Sequence, residues 1–255
     1  MNTSEKRFYL DSNGLTIKCE NTIPGDQGTV DGIVYESVDN ELLRKRIKEG
    51  SDLTRLCTSL VTDMSKLFRF NFSNTPIGNW DVSNVTDMSL MFSGSNFNQP
   101  IGNWDVSNVY SMRSMFSNSL FNQPIGRWDV SSVRDMEQMF HESKFNQPIG
   151  NWDVSNVIDM RNLFDSTSFN QPIGNWDVSN VNFMNSMFYG AQFNQYIGEW
   201  VVCNVMNMDW MFTNSDFNQN ISDWCVWRIG VEPCFFLTRS PLTQQNKPRW
   251  GNRRF

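Results

Sequence analysis

The stretch FNQPIGNWDVSNV occupies residues 97–109, and near copies of it begin at Phe121, Phe145 and Phe169. An Asn-Gln-Pro turn, a Trp and an Asp return each time, while the residues between them change. Trp stands at 80, 104, 128, 152, 176, 200 and 224, a spacing of 24, and Met64, Met88, Met112, Met136, Met160, Met184 and Met208 keep the same interval. A fixed period of about 20 to 50 residues marks a unit that cannot bury its own apolar face and must stack on its neighbours.

The unit reads F-N-Q-P-I-G-x-W-D-V-S-N-V-x-x-M-x-x-M-F-x-x-S-x. Trp104 and Val106 are two residues apart, the strand period, whereas Val109, Met112 and Phe116 follow a helical or 3₁₀ period. This predicts a repeat solenoid of leucine-rich-repeat type, with one short parallel β-strand and one short helical or 3₁₀ turn per 24-residue coil. Phe97, Ile101, Trp104, Val106, Val109, Met112, Met115 and Phe116 are its inward positions. Gln-Pro-Ile-Gly fits a corner, because Pro124 fixes φ and Gly126 can take conformations that side chains resist. Asn at 98, 122, 146, 170, 194 and 218 is placed to bond the loop backbone of the neighbouring coil.

Three parts follow. Residues 1–56 lack the period and read as an N-terminal capping unit of two hairpins and a helix. FYLDSNGLTIKC turns at Asn13-Gly14 and GTVDGIVYESV at Asp31-Gly32, and a helix starts after Asp39 and stops at Gly50. Residues 57–226 form seven coils. After Trp224 the pattern decays, and 227–255 read as a C-terminal cap with a polar tail, SPLTQQNKPRWGNRRF, ending in disorder.

Composition narrows the function classes. Of 255 residues, 39% are apolar and 19% charged, which is ordinary for a folded chain. The net charge is −6 with basic residues dispersed until the end, so there is no cationic stripe to follow a nucleic acid. No segment is apolar enough to span a bilayer, and MNTSEKRFYLDS lacks the apolar core of a secretory signal. Five cysteines without a CxxC pair, beside a single histidine, His141, argue against zinc. Cys19 and Cys57 flank one N-terminal unit, where either a disulfide or two buried thiols fits.

The register I-x-x-W-x-V-x-x-V (Ile101, Trp104, Val106, Val109) matches the leucine-rich-repeat frame, and the unit resembles the repeats of BspA-type leucine-rich-repeat surface proteins, including mycoplasma surface lipoprotein repeats. The resemblance covers about residues 57–226. It extends to GLTIKCENTIPGDQGTVDGIVYESVDNELLRKRI with LCTSLVTDM before the repeats and SPLTQQNKPRWG after them. It implies secretion or cell-surface display and binding to host proteins, other cells or matrix, with no catalytic residues to carry over; the expected partner is a protein or cell-surface glycan, and no cofactor is expected. Where relatives end WGTC this chain has Trp250-Gly251-Asn252-Arg253, which leaves Cys225 without the partner the resemblance implies. The missing leader keeps a cytosolic or virus-encoded protein as the alternative.

Asp81, Asp105, Asp129, Asp153 and Asp177 form a ladder of equivalent carboxylates. One reading is an Asx-type bond to the backbone two residues on; the other is calcium bridging adjacent rungs, since stacked carboxylates repel unless protonated, hydrogen-bonded or metal-bound. Asn84 and Asp87 have capping-box spacing for the helical turn. No Ser of the motif has a His beside it to act as base, Cys203 stands in a Ser column as a tolerated replacement, and His141 reads as an exposed, solvated side chain. The variable column Thr86, Tyr110, Arg134, Ile158, Asn182, Met206, with Trp210 from the column four residues on, marks the partner-binding flank: Tyr110, Arg134, Ile158, Met206 and Trp210. The expected function is a non-enzymatic adhesion or binding module, with a structural assembly protein as the alternative.

Overall fold

The computed structural model describes residues 5–251. The expected disordered end of the tail, at 252–255, lies outside them. The N-terminal unit follows its turn chemistry. Strands β1 (Arg7–Leu10) and β2 (Ile17–Glu20) pair antiparallel, and so do β3 (Gln27–Val30) and β4 (Ile33–Ser37). Asp31 and Gly32 both take positive φ, 49° and 79°, the two left-handed positions that a tight hairpin of native twist requires. Helix α1 (Asn40–Glu49) opens where the Asp39 carboxylate accepts from Leu42 N–H and closes at Gly50 in the left-handed region. A 3₁₀ turn (Leu53–Arg55) leads into β5 (Leu56–Cys57), which pairs parallel with β4.

From there the chain is a repeat protein. Parallel bridges join Asp63 to Asp87, Asp87 to Ser111, Ser111 to Asp135, Asp135 to Asp159, Asp159 to Phe183 and Phe183 to Asn207, one per 24-residue step. The apolar set of every repeat is buried: Phe116, Phe121, Ile125, Val133, Met136, Met139 and Phe140 all lie at zero exposure. Like side chains stack on like, Phe116 on Phe140 at 5.9 Å, Phe121 on Phe145 at 6.3 Å and Trp152 on Trp176 at 6.5 Å. Indole N–H groups donate one repeat back, Trp128 to Ile101 O and Trp152 to Ile125 O, both at 3.1 Å. Among the repeat tryptophans Trp104 is the exception, its nitrogen buried without a partner among the described residues. Asn122 N–H donates to Asn98 Oδ1, and the same bond recurs through Asn218, which ties the corners together.

Two expectations for the repeat unit are corrected. The Trp-x-Val segment carries no bridged strand, and the segment after it is not helical. Residues 112–119 form turns closed by Met115 N–H to Met112 O and Ser117 N–H to Ser114 O, with Ser114 and Asn118 at φ of 53° and 54°. Positive φ ends any right-handed helix after two residues. It frees alternate N–H groups to donate sideways: Met112, Ser114, Phe116 and Asn118 bond to the carbonyls of Asp135, Glu137, Met139 and His141 in the next repeat. The sheet-like face therefore runs along Met112–Asn118, where the periodicity suggested a helix. Asp87 makes no capping box; its Oδ1 accepts from Ser89 N–H at 2.7 Å within such a turn.

The pattern also continues past Trp224. PCFFLTRS (233–240) repeats the fold of MDWMFTNS (208–215): Trp210, Phe212 and Asn214 donate to the carbonyls of Cys234, Phe236 and Thr238, and Phe235 and Arg239 copy the positive φ of Trp210 and Asn214. The step here is 25 residues instead of 24.

Candidate functional site

The variable column is brought into one line. Backbone bonds run from Tyr110 N–H to Thr86 O, Arg134 to Tyr110, Ile158 to Arg134, Asn182 to Ile158 and Met206 to Asn182. Tyr110, Arg134 and Met206 are exposed, whereas Ile158 is partly covered. Trp210 stands apart from this line. It lies in the turn ladder at φ 56° and stacks on Phe235 with centroids 5.9 Å apart. Ser114 of its column is buried, so that column is not uniformly a surface.

The Asp ladder is spent on its own loops. Asp105 Oδ1 accepts from Ser107 N–H and Oγ–H, Asp129 from Ser131 in the same way, and Asp153 and Asp177 from the N–H of Ser155 and Ser179. These bonds hold the Asp153 carboxyl below the usual range. Asp81 is the buried member and receives Ser59 Oγ–H at 2.6 Å, and Ser59 Oγ in turn accepts from Cys19 N–H at 3.1 Å, which fastens the N-terminal unit to the repeats.

A charged cluster that the spacing did not single out sits beside the bridge positions. Asp135, Glu137 and Asp159 bring carboxylate oxygens within 4.8 Å of one another. Arg113 and Arg161 both bond Glu137, and Arg161 also bonds Asp159 at 2.6 Å, so two cations already face the three anions. Burial pushes Asp135 and Glu137 upward, and the hydrogen bonds that Arg161 donates to Asp159 raise Arg161. The signal was in the sequence as charges at one column in successive repeats: Arg113, Glu137, Arg161.

His141 is not solvated as expected. Its side chain is 21% exposed, with Nδ1 3.4 Å from Asp165 Oδ2 and Nε2 3.8 Å from Glu142, and the Asp165 contact raises its pKa.

The cysteines also depart from expectation. Cys19 and Cys57 do not form a bridge: both thiols are free and buried. Cys57 Sγ lies 3.5 Å from Ile17 O and from Ser59 Oγ, so its polar needs are met without a covalent bond. The hydrogen bond between the thiols holds Cys19 low, to about 6, and holds Cys57 up. Cys225, which was left without a partner, bonds Cys203. The two are 22 residues apart in neighbouring repeats, one in the Ser column and the other in the Asp column, which the Asp105–Ser107 contact shows to be adjacent within a repeat.

No helix among the described residues is long and apolar enough to cross a membrane. No curated protein and no solved structure matches the chain. One family model does, twice in tandem, over residues 40–144 and 135–238, which together take in α1, the repeats and most of the last turn ladder. The chain belongs to the repeat family described as Mycoplasma protein of unknown function, DUF285.

Proposed function

We propose that this protein is a non-enzymatic binding module of leucine-rich-repeat-like solenoid form, displayed outside the cell or on its surface, that recognises a protein or a cell-surface glycan through its variable flank. The observation that carries the reading is the line Tyr110, Arg134, Ile158, Asn182, Met206: side chains of unlike chemistry, held in register by backbone bonds on an apolar core that does not vary. A rigid scaffold with one changing row suits recognition. The Cys203–Cys225 disulfide supports an oxidising compartment. The non-enzymatic reading rests on the equivalence of the polar groups, since each Asp–Ser pair closes its own loop and none is set apart from the others as acid, base or nucleophile.

End-to-end assembly ranks second. Helix α1 lies across the first repeat, with Arg44 donating to the carbonyls of Ser65 and Asp63 and Asn40 Oδ1 accepting from Thr62 and Asp63, so the first edge is already occupied.

The test is a screen of the purified chain on glycan and cell-surface protein arrays beside a Tyr110→Ala, Arg134→Ala, Met206→Ala variant. The expected result is binding that the variant loses while its melting temperature stays unchanged. Binding that survives in the variant would remove the flank from the reading.

A further inference from the structure

The bonds of the turn ladder all run one way, opposite to those of the flank column, where Tyr110 donates back to Thr86 and Arg134 back to Tyr110. At each step from Met64 to Gly190, four N–H groups of one repeat donate to four carbonyls of the next, as Met88, Leu90, Phe92 and Gly94 do to Ser111, Arg113, Met115 and Ser117. Along this ladder donors therefore accumulate at the C-terminal end, much as carbonyls do at one end of a helix. The last ladder, Pro233–Ser240, closes its own turns through Phe236, Thr238 and Ser240 N–H, yet the outward N–H groups of Phe235, Leu237 and Arg239 find no acceptor among the described residues. Phe235 is 60% exposed and extends the Trp210 ring into an open aromatic platform.

Charge separates along the same axis. Residues 227–251 hold four basic side chains and one acidic, while residues 5–226 hold fifteen and twenty-six. Arg228, Arg239 and Arg249 are exposed in this end, and its one acid, Glu232, is paired with Lys247 at 2.5 Å.

We infer that this edge is a second docking site, distinct from the variable flank, and that its occupant is an acidic peptide segment of another protein, added as one further rung. Main-chain carbonyls would accept from Phe235, Leu237 and Arg239, carboxylates would face Arg239 and Arg249, and an apolar side chain would cover Phe235. A second copy of this chain fits the edge poorly. Its own C-terminal end would set N–H against N–H and cation against cation, and its N-terminal end is covered by α1 and Arg44.

The probe is a synthetic peptide, Asp-Met-Glu-Gln-Met-Phe-His-Glu-Ser, the sequence of residues 135–143, which stacks in this way inside the molecule. Its control has each Asp and Glu replaced by Asn and Gln. Calorimetric titration should show the acidic peptide binding at least about tenfold more tightly than the control, and weakening as salt rises from about 0.05 to 0.3 M. Arg239→Glu and Phe235→Ala, both at exposed positions, should each lose about tenfold with an unchanged melting temperature, whereas Tyr110→Ala, Arg134→Ala, Met206→Ala should leave the affinity as it was. Equal binding of both peptides, no binding of either, or binding indifferent to Arg239→Glu overturns the inference. Self-association seen by light scattering and abolished by Phe235→Ala would assign the edge to a second copy and overturn it equally. Array partners lost in the flank variant while the peptide still binds separate the two sites.

Discussion

Trp152 and Asp153 are neighbours in sequence and opposites in energetic weight. The indole is 3% exposed, stacks on its neighbours and donates to Ile125 O, so Trp152→Ala removes an aromatic body and one of the two bonds that this carbonyl accepts, the other coming from Trp128 N–H. A loss of about 3–5 kcal/mol is expected in urea unfolding. Asp153 bonds the hydroxyl and N–H of Ser155 at the surface, contacts that an Asn oxygen can also accept, so Asp153→Asn should move stability by less than about 0.5 kcal/mol in the same experiment. His141 supplies a pH dependence. Its pKa is raised in the folded chain by Asp165, so the folded state holds the proton more tightly. The stabilisation is complete below the ordinary histidine pKa and is lost as pH rises through the raised one. Thermal melting between pH 5.5 and 8 should fall over that window, and His141→Gln should flatten it; a slope that persists in the variant assigns it elsewhere.

At the scale of the repeat, one position requires glycine and another merely tolerates its absence. A Cβ on Gly150 would stand 2.6 Å from Pro172 O of the next repeat, a backbone atom that cannot yield without shifting the whole rung. Gly150→Ala is expected to cost about 1–3 kcal/mol, as overpacking does. Ser186 sits at φ 56°, a region that disfavours any residue with a Cβ. Ser186→Gly should therefore stabilise by about 1 kcal/mol, read as a shift in the urea midpoint. The turn ladder shows where periodicity misleads. Val109, Met112 and Phe116 all point inward, as a helix would place them, but alternate left-handed residues satisfy the same spacing. The signal was partly present in one column: 70, 94, 118, 142, 166, 190 and 214 read Phe, Gly, Asn, Glu, Ser, Gly and Asn, and four of these seven are the residues that accept positive φ most readily. The other left-handed column, Leu90, Ser114, Gln138, Asn162, Ser186, Trp210, carries no such mark, because there the cross-repeat bonds outweigh the local preference.

For the whole molecule, stability is a sum over neighbours, and the two ends differ. The start is sealed by α1 and by Asp81, which binds the N-terminal unit through Ser59. Near the other end Cys203–Cys225 closes a loop across two repeats, so reducing it should destabilise the C-terminal repeats by about 3 kcal/mol while the central ones hold. Hydrogen exchange under reducing conditions should show protection lost first around Trp224 and retained around Trp128; uniform loss would mean that the array unfolds as one unit.

The 24-residue period, the buried set, the corner glycines and both hairpin turns were legible in the sequence, because each reports a local demand of the chain: an apolar face to cover, a φ only certain residues accept. The tertiary structure alone decided which segment forms the ladder between repeats, that Cys203 meets Cys225 while Cys19 and Cys57 stay thiols, that Arg113, Glu137 and Arg161 neutralise one another, and that the outward donors of the last ladder meet no acceptor among the described residues. These depend on which residues lie beside each other one rung away. Backbone bonds set that register, and the periodicity of side chains within a single repeat does not contain it.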